Sequence, residues 1–313
     1  MTLQESQHEG NSPPPGSEPV IQIQDAIAAS DDDDADSSIG EEVEPSVVSI
    51  SSSILAYRQE NGRSYHALSS GKYVLPNDEE ENERLDLQHE LYVRTLDGEL
   101  ALMQILKQSV PPNVSFEIDD LEKEWTWTKK FDFIFARMML GCFTDFPQII
   151  RVAFDNLEPG GYLELQDMSL PARSDDGTLH PESYLSKWCR SCFEAGQNLG
   201  RPVFPTTEYK NYLAAAGFVD IVEVQQKWPT NPWPRDKKFK ELGAWACANI
   251  AGGLDGLSLA YFTRGLGWST EETRVFCAHV RKDLQNPRIH AYWPMVPVIP
   301  VSARIRYGRV NYE

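Results

Sequence analysis

The stretch FDFIFARMMLGCFTDFPQIIRVAFDNLEPGGYLELQDM, residues 131–168, decides the fold. It opens with an almost continuously apolar run and continues with a helical segment, IIRVAFDNL. Pro159, Gly160 and Gly161 then turn the chain into a further strand, YLELQDM. Near-continuous apolar strands suit a parallel sheet whose two faces are both covered. Strand, helix and strand again therefore predict an α/β protein with a parallel sheet.

Similar patterns flank this stretch. NVSFEIDD, residues 113–120, is a compact strand signal that ends in two acids. TTEYKNYLAAAGF, residues 206–218, predicts a helix that stops at Gly217, and VDIVEVQQ, residues 219–226, predicts the next strand. The last strand candidates are MVPVIPV and SARIRYGRV, within residues 295–310.

An amphipathic helix is predicted from Asn82 to Leu96. Leu85, His89, Tyr92 and Leu96 follow one another at steps of four, three and four residues, and Gly98 supplies a stop. His89 falls on the apolar face of this helix, so it is interpreted as a hydrogen-bonded core histidine rather than a catalytic one.

Charge divides the chain into a tail and a body. Residues 1–50 hold twelve of the 47 Asp and Glu residues and none of the 29 Lys and Arg residues, so they are predicted to be a disordered acidic tail. The remaining net charge is −6 of the total of −18, which gives no footprint for nucleic acid. Residues 51–313 are predicted to form one α/β body, with a lid and helix at 51–107 and mainly helical insertions at 168–209 and 228–290.

Targeting and metal signals are missing from the sequence. There is no basic segment followed by an apolar one at the N-terminus and no apolar stretch long enough to cross a membrane. An intracellular protein, cytoplasmic or nuclear, without a membrane partner is therefore expected. Cys189 and Cys192 form a C-x-x-C, but no second ligand pair accompanies them, so we interpret them as core residues of a helix and expect no metal site.

Eight segments together resemble one family, the fungal LaeA-like group of class I S-adenosylmethionine (SAM)-dependent methyltransferases, which carries a TAM methyltransferase domain. In chain order they are YRQENGRSYH (57–66), LPNDEEENERLDLQHEL (75–91), VPPNVSFEIDDLEKEW (110–125), FDFIFARMMLG (131–141), LEPGGYLELQD (157–167), SDDGTL (174–179), AGFVDI (216–221) and RIHAY (288–292). The resemblance covers nearly all of residues 50–313. It implies a Rossmann-like class I sheet, SAM as cofactor and methyl transfer to an acceptor.

The resemblance also exposes a gap. In the family, the first strand, a glycine-rich loop, its helix and the second strand stand before the VPPNV segment, whereas this chain passes from Lys107 to Val110 with only two residues between. A strand-helix-strand unit takes about 30 residues or more. Its G-x-G-x-G loop would approach the methionine end of SAM, and its second strand would supply an acid for the ribose. Either the sheet is rearranged, or the sequence reflects a skipped exon or an imperfect gene model, which is the interpretation that we favour.

Candidate site residues follow from the resemblance and from the carboxyl ends of the strands. Asp119 or Asp120 is expected to accept a hydrogen bond from the adenine amino group, the alternative being that both only cap a turn. Arg137 and Met138 end the next strand, where Arg137 pairs either with a carboxylate of cofactor or substrate or with a surface acid. Tyr57 and Arg63, in the lid segment, are expected to close over the cofactor.

Other candidates are left with two interpretations. Glu164 and Asp167 either face the acceptor or are buried, hydrogen-bonded strand acids. His66 is a candidate base in the lid segment, although a structural role is favoured. Trp228, Trp233, Trp245 and Trp268 either wall an apolar acceptor pocket or belong to the core; no catalytic residue is assigned.

Two functions of different classes remain at this point. One is SAM-dependent methyl transfer to an unidentified small molecule or protein, linked through the resemblance to fungal secondary metabolism. The other is a non-catalytic interaction protein with possible protein partners, because the loop that holds SAM is missing. SAM binding distinguishes the two.

Overall fold

The structure is a computed structural model that describes residues 57–66, 72–98 and 119–303. All of these residues belong to the second of two compact units of the chain, residues 45–313. The predicted tail at 1–50 lies outside the described residues. So do residues 113–118 of the predicted strand and the junction at Lys107 and Val110.

A hairpin and a capped helix open the described fold. The hairpin consists of β1 (Arg58–Glu60) and β2 (Arg63–Tyr65), and helix α1 spans Glu79–Thr95. Asp78 caps α1, because its carboxylate accepts the backbone N–H of Glu81 at 3.1 Å. The same carboxylate accepts two bonds of 2.6 Å from the Arg63 guanidinium, so one acid fixes both the helix and the hairpin.

The buried face of α1 differs from the predicted one. Leu85 and His89 are exposed, whereas the buried residues are Glu81, Arg84, Gln88, Leu91, Tyr92 and Thr95. The prediction of His89 as a core histidine is therefore wrong. Tyr92 and Leu96 are buried as predicted, but the first half of the predicted face is exposed because the helix buries there a polar cluster whose members satisfy one another.

Arg84 is the centre of this polar cluster. Its guanidinium donates to both carboxylate oxygens of Glu81, at 2.7 and 2.9 Å, and to the side-chain oxygens of Gln88 at 2.8 Å and Asn249 at 2.9 Å. Gly253 leaves room for it, since a Cβ there would lie 2.1 Å from Arg84 Cδ. The cluster thus ties α1 to the helix that contains Asn249.

The predicted strand, helix and strand of residues 131–168 are confirmed. They are β3 (Phe131–Arg137), α2 (Phe146–Asp155) and β4 (Leu157–Met168), and β3 pairs with β4 in parallel. Asp145 caps α2 by accepting the backbone N–H of Gln148. Arg137 lies opposite Gln166, so both strands deliver their carboxyl ends to the same edge of the sheet.

The next elements follow the predicted order with one exception. They are β5 (Arg173–Ser174), α3 (Tyr184–Asn198), a 3₁₀ turn (Thr206–Glu208), α4 (Tyr209–Ala216), β6 (Phe218–Val219) and β7 (Gln226–Pro229). Gly217 ends α4 with a φ of 105°, as predicted. The single strand predicted over 219–226 is wrong: Asp220 has a φ of 54°, and between β6 and β7 the chain forms only an isolated antiparallel bridge, from Glu223 to Val298.

Three helices and a long strand complete the described fold. They are α5 (Lys237–Gly252), α6 (Leu254–Gly265), α7 (Thr270–Leu284) and β8 (Ala291–Ala303). The helices lie within the stretch predicted as a helical insertion, while the domain boundaries themselves stay a prediction. Within the described ranges, no helix has the combination of length and apolar composition needed to cross a membrane.

The sheet is mixed and separates two apolar cores. Among the described residues its order is β3-β4-β8-β5, with β6 and β7 also paired to β8, and every pairing with β8 is antiparallel. Leu163 and Leu165 of β4 face a core shared with α2 and α4, whereas Met168 belongs to the core of α1, α3, α5, α6 and α7. The α/β class is as predicted, but the described sheet is only partly parallel.

Cys189 and Cys192 are both buried on α3 in the larger core. Burial raises the pKa of the Cys189 thiol to about 12, so it is an inert core group. No cluster of metal ligands occurs among the residues that the structure describes.

Replacing Arg84 tests the polar cluster. We expect Arg84→Met to lower the free energy of unfolding by about 3–5 kcal/mol, because Glu81 would be left as an uncompensated buried charge. Denaturant unfolding measures the effect. The control is Arg94→Met on the same helix, whose half-exposed ion pairs with Glu90 and Glu241 should cost about 1 kcal/mol or less. Equal losses in the two variants would contradict the structural role of the cluster.

Candidate functional site

A cavity of about 440 Å³ lies at the carboxyl end of β3. Its lining mixes charged groups with an apolar wall. The lining residues are Lys72, Tyr73, Leu85, Asp119, Asp120, Leu121, Glu122, Arg137, Met138, Met139, Cys142, Phe143 and Arg201. Asp119, Asp120, Arg137 and Met138, four of the six residues predicted to contact cofactor, thus surround one cavity.

The chain leaves β3 through a turn that forms the cavity floor. Met138 has a φ of 56°, in the left-handed region, and its backbone N–H donates to the carbonyl of Gln166 at 2.9 Å. The next N–H, that of Met139, donates to Asp167 Oδ1 at 2.6 Å. Two successive bonds to the end of β4 therefore fix the turn.

Asp167 is fully buried behind this turn. Its second oxygen accepts the Tyr209 hydroxyl at 2.8 Å, so the carboxylate joins α4 to the cavity floor. Burial raises the pKa of Asp167 to about 6, and the bonds from Tyr209 and Met139 offset only part of that effect. Glu164 and Asp167 were given two interpretations. The structure supports the one in which both are buried strand acids, because both side chains are inaccessible to solvent.

Arg137 lies over the aromatic ring of Tyr92, with its guanidinium carbon 4.4 Å from the ring centroid. Its Nε donates to Gln166 Oε1 at 2.9 Å, and Nη1 lies 3.5 Å from His89 Nδ1. Burial lowers the pKa of Arg137, although the group stays charged at any ordinary pH. A partly desolvated cation therefore borders the cavity.

The acids of the cavity differ in their partners. Asp120 pairs with Lys72 at 2.7 Å, and Glu122 pairs with Arg201 at 2.8 Å while it also accepts two bonds from Thr144. Burial alone would raise the pKa of Glu122, but the bonds from Thr144 and Arg201 hold it below its ordinary value. Asp119 is exposed, and its carboxylate accepts a local hydrogen bond from the Asp120 backbone N–H at 2.7 Å. Asp119 thus presents the most accessible carboxylate.

Tyr57 and Arg63 are not among the residues that line this cavity. Tyr57 is half exposed and touches His66 edge to face, with ring centroids 6.3 Å apart. The Arg63 guanidinium is buried against Asp78 and α6, and Asp78 above all raises its pKa. Contact of these two residues with the cofactor stays a prediction.

Sequence reasoning missed Lys72, Arg201 and the hydrogen bond between Asp167 and Tyr209. Arg201 comes from the segment after α3 and donates to the carbonyl of Cys142 at 2.7 Å in addition to its ion pair. Only tertiary structure joins it to the cavity, since Gly200 and Pro202 on either side carry no signal for a site. Asp167, by contrast, was found as an acid at a strand end but without its partner.

Comparison with known proteins identifies the family. Residues 56–224 match the model of a methyltransferase domain, Methyltransf_23, which is more than half of the chain. The chain belongs to this methyltransferase family. Its fold class is accordingly the α/β, Rossmann-like sheet of class I methyltransferases, and SAM is the cofactor expected for the family.

Two curated relatives are fungal. Methyltransferase pytC from Aspergillus terreus is 31% identical over 297 positions, covering 82% of this chain and 92% of that protein. Secondary metabolism regulator LAE1 from Cochliobolus heterostrophus is 30% identical over 278 positions, covering 74% of this chain and 91% of that protein. The predicted likeness to the LaeA-like group is therefore confirmed.

A solved structure in the comparison is phosphoethanolamine N-methyltransferase 2 from Haemonchus contortus bound to S-adenosylhomocysteine. It is 14% identical, with a TM-score of 0.32, and the match covers 59% of this chain and 36% of that one.

In both fungal alignments, some positions of the relative have no counterpart in this chain. With pytC, 82% of 313 residues is about 257, so about 40 of the 297 positions face no residue of this chain. With LAE1, 74% is about 232, which leaves about 46 of the 278 positions. These numbers are comparable to the length of a strand-helix-strand unit, about 30 residues or more, such as the one expected from the resemblance before the VPPNV segment.

The cavity fits one end of SAM better than the other. Leu85, Met138, Met139 and Phe143 supply an apolar wall suited to adenine, and Asp119 an acceptor for amino or hydroxyl groups. The methionine end is usually held by a G-x-G-x-G turn, and the sequence contains no such motif. Among the described residues, those that line the cavity therefore fit the adenosine part of SAM.

The burial of Asp167 predicts a pH dependence of stability. The unfolded chain ionises Asp167 near its ordinary pKa of 3.8 and the folded one at about 6, so stability falls as pH rises between these values. The full difference corresponds to about 3 kcal/mol. Asp167→Asn keeps an acceptor for Met139 and removes the charge, so we expect it to be more stable than the parent above pH 6 and to lose this advantage below pH 4.

Thermal unfolding between pH 4 and 7.5 measures this difference. Asp132→Asn, which changes an exposed acid on β3, is the control. A lower stability of Asp167→Asn than of the parent at pH 7 would contradict the prediction. It would mean that the hydrogen bonds of the ionised carboxylate stabilise the fold by more than its burial costs.

Proposed function

We propose that the cavity at the carboxyl end of β3 binds the adenosine part of SAM. The supporting observation is that Asp119, Asp120, Arg137 and Met138 line one cavity where β3 ends beside β4. Ligands of open α/β sheets bind in crevices outside the carboxyl ends of the strands. Family membership and position thus favour the same ligand.

Each wall of the cavity has a role in this proposal. Asp119 accepts hydrogen bonds from the adenine amino group or a ribose hydroxyl, since Asp120 is already paired with Lys72. Met138, Met139 and Phe143 contact the flat faces of the base. Asp167 and Tyr209 act from behind by holding the Met138 turn.

Bound SAM would supply an activated methyl group, so the protein needs mainly to align donor and acceptor. Burial raises the pKa of the Cys142 thiol in the cavity to about 12, which keeps it protonated and unsuited to act as a base at neutral pH. We assign no catalytic base to the described residues.

We propose that the protein works in fungal secondary metabolism, as the names of its relatives suggest for them, and within the cell. Its methyl acceptor would be a small molecule or a protein side chain. Nucleic acid is not favoured, because the 35 acids and 29 bases after residue 50 give no excess of positive charge.

A second candidate is a non-catalytic interaction protein. The specific observation that favours it is the set of about 40 alignment positions without a residue in this chain, together with the missing glycine-rich turn. A donor held at one end only is not aligned for transfer. For the chain as given, we therefore expect nucleoside binding without efficient methylation.

Calorimetry with two ligands tests the binding proposal. S-adenosylhomocysteine carries the amino-acid end and 5′-methylthioadenosine lacks it. Because nothing identified in the cavity holds the amino-acid end except the partly engaged Arg137, we expect the two dissociation constants to agree within about threefold. S-adenosylhomocysteine binding more than about thirtyfold tighter, roughly 2 kcal/mol, would contradict our account of the gap.

Variants assign the binding to the cavity. Asp119→Ala should weaken both ligands about tenfold, the effect of one hydrogen bond to a charged acceptor, roughly 1.5 kcal/mol. Asp132→Ala, at the opposite end of β3, is the matched control and should change neither affinity. If neither ligand binds the parent protein, the adenosine proposal fails and the interaction protein is favoured.

Restoring the missing unit gives a separate test. We expect that inserting the corresponding segment of pytC between Lys107 and Val110 makes S-adenosylhomocysteine bind tighter than 5′-methylthioadenosine by about tenfold or more, since a glycine-rich turn would then hold the amino-acid end. Sequencing the transcript across the same codons shows whether the natural message carries such a segment. A continuous junction in all transcripts would refute the skipped-exon interpretation.

A further inference from the structure

A second cavity, of about 530 Å³, lies between the first turn of α3 and the N-terminal half of α7. It shares no residue with the cavity at β3. Aromatic and acidic side chains dominate its lining. The lining residues are Tyr184, Trp268, Glu271, Glu272, Val275, Phe276 and His279.

The aromatic rings of this cavity are held in fixed orientations. Trp268 and Phe276 lie at an interplanar angle of 85° with centroids 5.2 Å apart, so their rings form a corner. Phe262, which is fully buried, contacts both rings, at 5.0 Å from Trp268 and 6.0 Å from Phe276. The backbone N–H of Trp268 also donates to the Phe262 carbonyl. The corner is thus supported by the core and does not depend on a ligand.

Negative charge borders the aromatic corner. Glu272 is fixed by a capping box with Ser269, which also lowers the pKa of its carboxyl group. Glu271 precedes it in the first turn of α7. Of the nearby cations, Lys187 pairs with Glu182, and Arg274 donates to the Asn61 carbonyl. In the part of the chain that the structure describes, neither of these two cations forms an ion pair with Glu271 or Glu272.

The protein already places one ammonium group on this rim. Lys187 Nζ lies 5.6 Å from the centroid of the Tyr184 ring, which stacks on His279 at 4.4 Å. The electron-rich face of an aromatic ring attracts cations, and N-methylated ammonium groups are the ligands that combine charge with an apolar surface. The corner of Trp268 and Phe276 offers the same chemistry with more space.

We propose that this cavity binds an organic ammonium group, with its methyl groups against Trp268 and Phe276 and its charge near Glu271. Ring faces at right angles contact two sides of a roughly spherical ammonium group, and the carboxylate favours it over a neutral molecule of the same shape. This inference is independent of the proposed function, because it uses no residue of the SAM cavity.

Choline and its neutral isostere 3,3-dimethylbutan-1-ol test the proposal on the full chain. They share shape and differ in charge. By ligand-observed NMR titration we expect choline to bind about fivefold tighter or more, the effect of an exposed to partly buried cation–π contact. Equal affinities, or no binding of either probe, would overturn the proposal.

Variants assign the preference to the corner. Trp268→Leu should abolish the preference for choline over its neutral isostere. Trp245 is a half-buried Trp elsewhere, with Arg94 over its ring, and Trp245→Leu should retain the preference. Glu271→Gln should reduce the preference about two- to threefold, as expected for a single partly exposed charge. A preference unchanged in Trp268→Leu would contradict the assignment. If circular dichroism shows that Trp268→Leu is unfolded, Glu271→Gln and the weakening of choline binding at high salt decide the question.

Two peptides distinguish the sources of such a group. A short peptide with trimethyllysine that binds tighter than both choline and the unmodified lysine peptide would assign the group to a protein. If choline binds as tightly as the trimethyllysine peptide, the ligand is a free small ammonium compound. Either result supports the proposed chemistry.

Discussion

Gln166 is the residue on which the site depends. It is fully buried in β4, directly opposite Arg137 in the parallel pairing with β3. Its side-chain oxygen accepts from Arg137, its amide donates to Glu164, and its backbone carbonyl accepts both Met138 N–H and the Tyr92 hydroxyl. One side chain and one carbonyl thus join β3, β4 and α1 at the point where the chain leaves the sheet. A shift of the register by one residue would turn the Gln166 side chain to the opposite face of the sheet.

This arrangement explains why so much polarity is buried near the cavity. Glu164, Gln166 and Asp167 are consecutive or alternate residues of one strand, and none is accessible to solvent. Buried polar side chains are costly unless each has a partner, and here the partners come from β3, α4, the Met138 turn and β4 itself. Burial makes ionisation of Asp167 unfavourable, as its raised pKa shows. The same carboxyl group holds the cavity floor through its bonds to Met139 and Tyr209. A purely apolar strand end would avoid the desolvation of buried polar groups but would not hold the turn.

Periodicity predicted the elements where apolar side chains determine packing. The run from Phe131, the helix before Asn156 and the stop at Gly217 all had signals that act locally, and all three are present. The buried face of α1 was mispredicted because Arg84, Glu81 and Asn249 satisfy one another across 165 residues of sequence, and no local pattern shows that. The cavity was only partly predicted, because some of its residues come together through tertiary contacts that no local pattern shows. Strand ends identified Arg137 and Met138, whereas Arg201 reaches the cavity only through tertiary contacts.

The two ends of a nucleoside cofactor place different demands on a fold. Adenosine sites are concave surfaces with a few polar groups, and the cavity at the carboxyl end of β3 has this character. The charged amino-acid end instead requires close approach of the backbone, which a glycine-rich turn between strand and helix supplies. Methyl transfer depends on how the amino-acid end is held, because the sulfonium must be aligned with its acceptor to within fractions of an ångström. If the cavity binds adenosine as proposed, a chain without the glycine-rich turn would keep nucleoside recognition and would lack the alignment needed for methyl transfer.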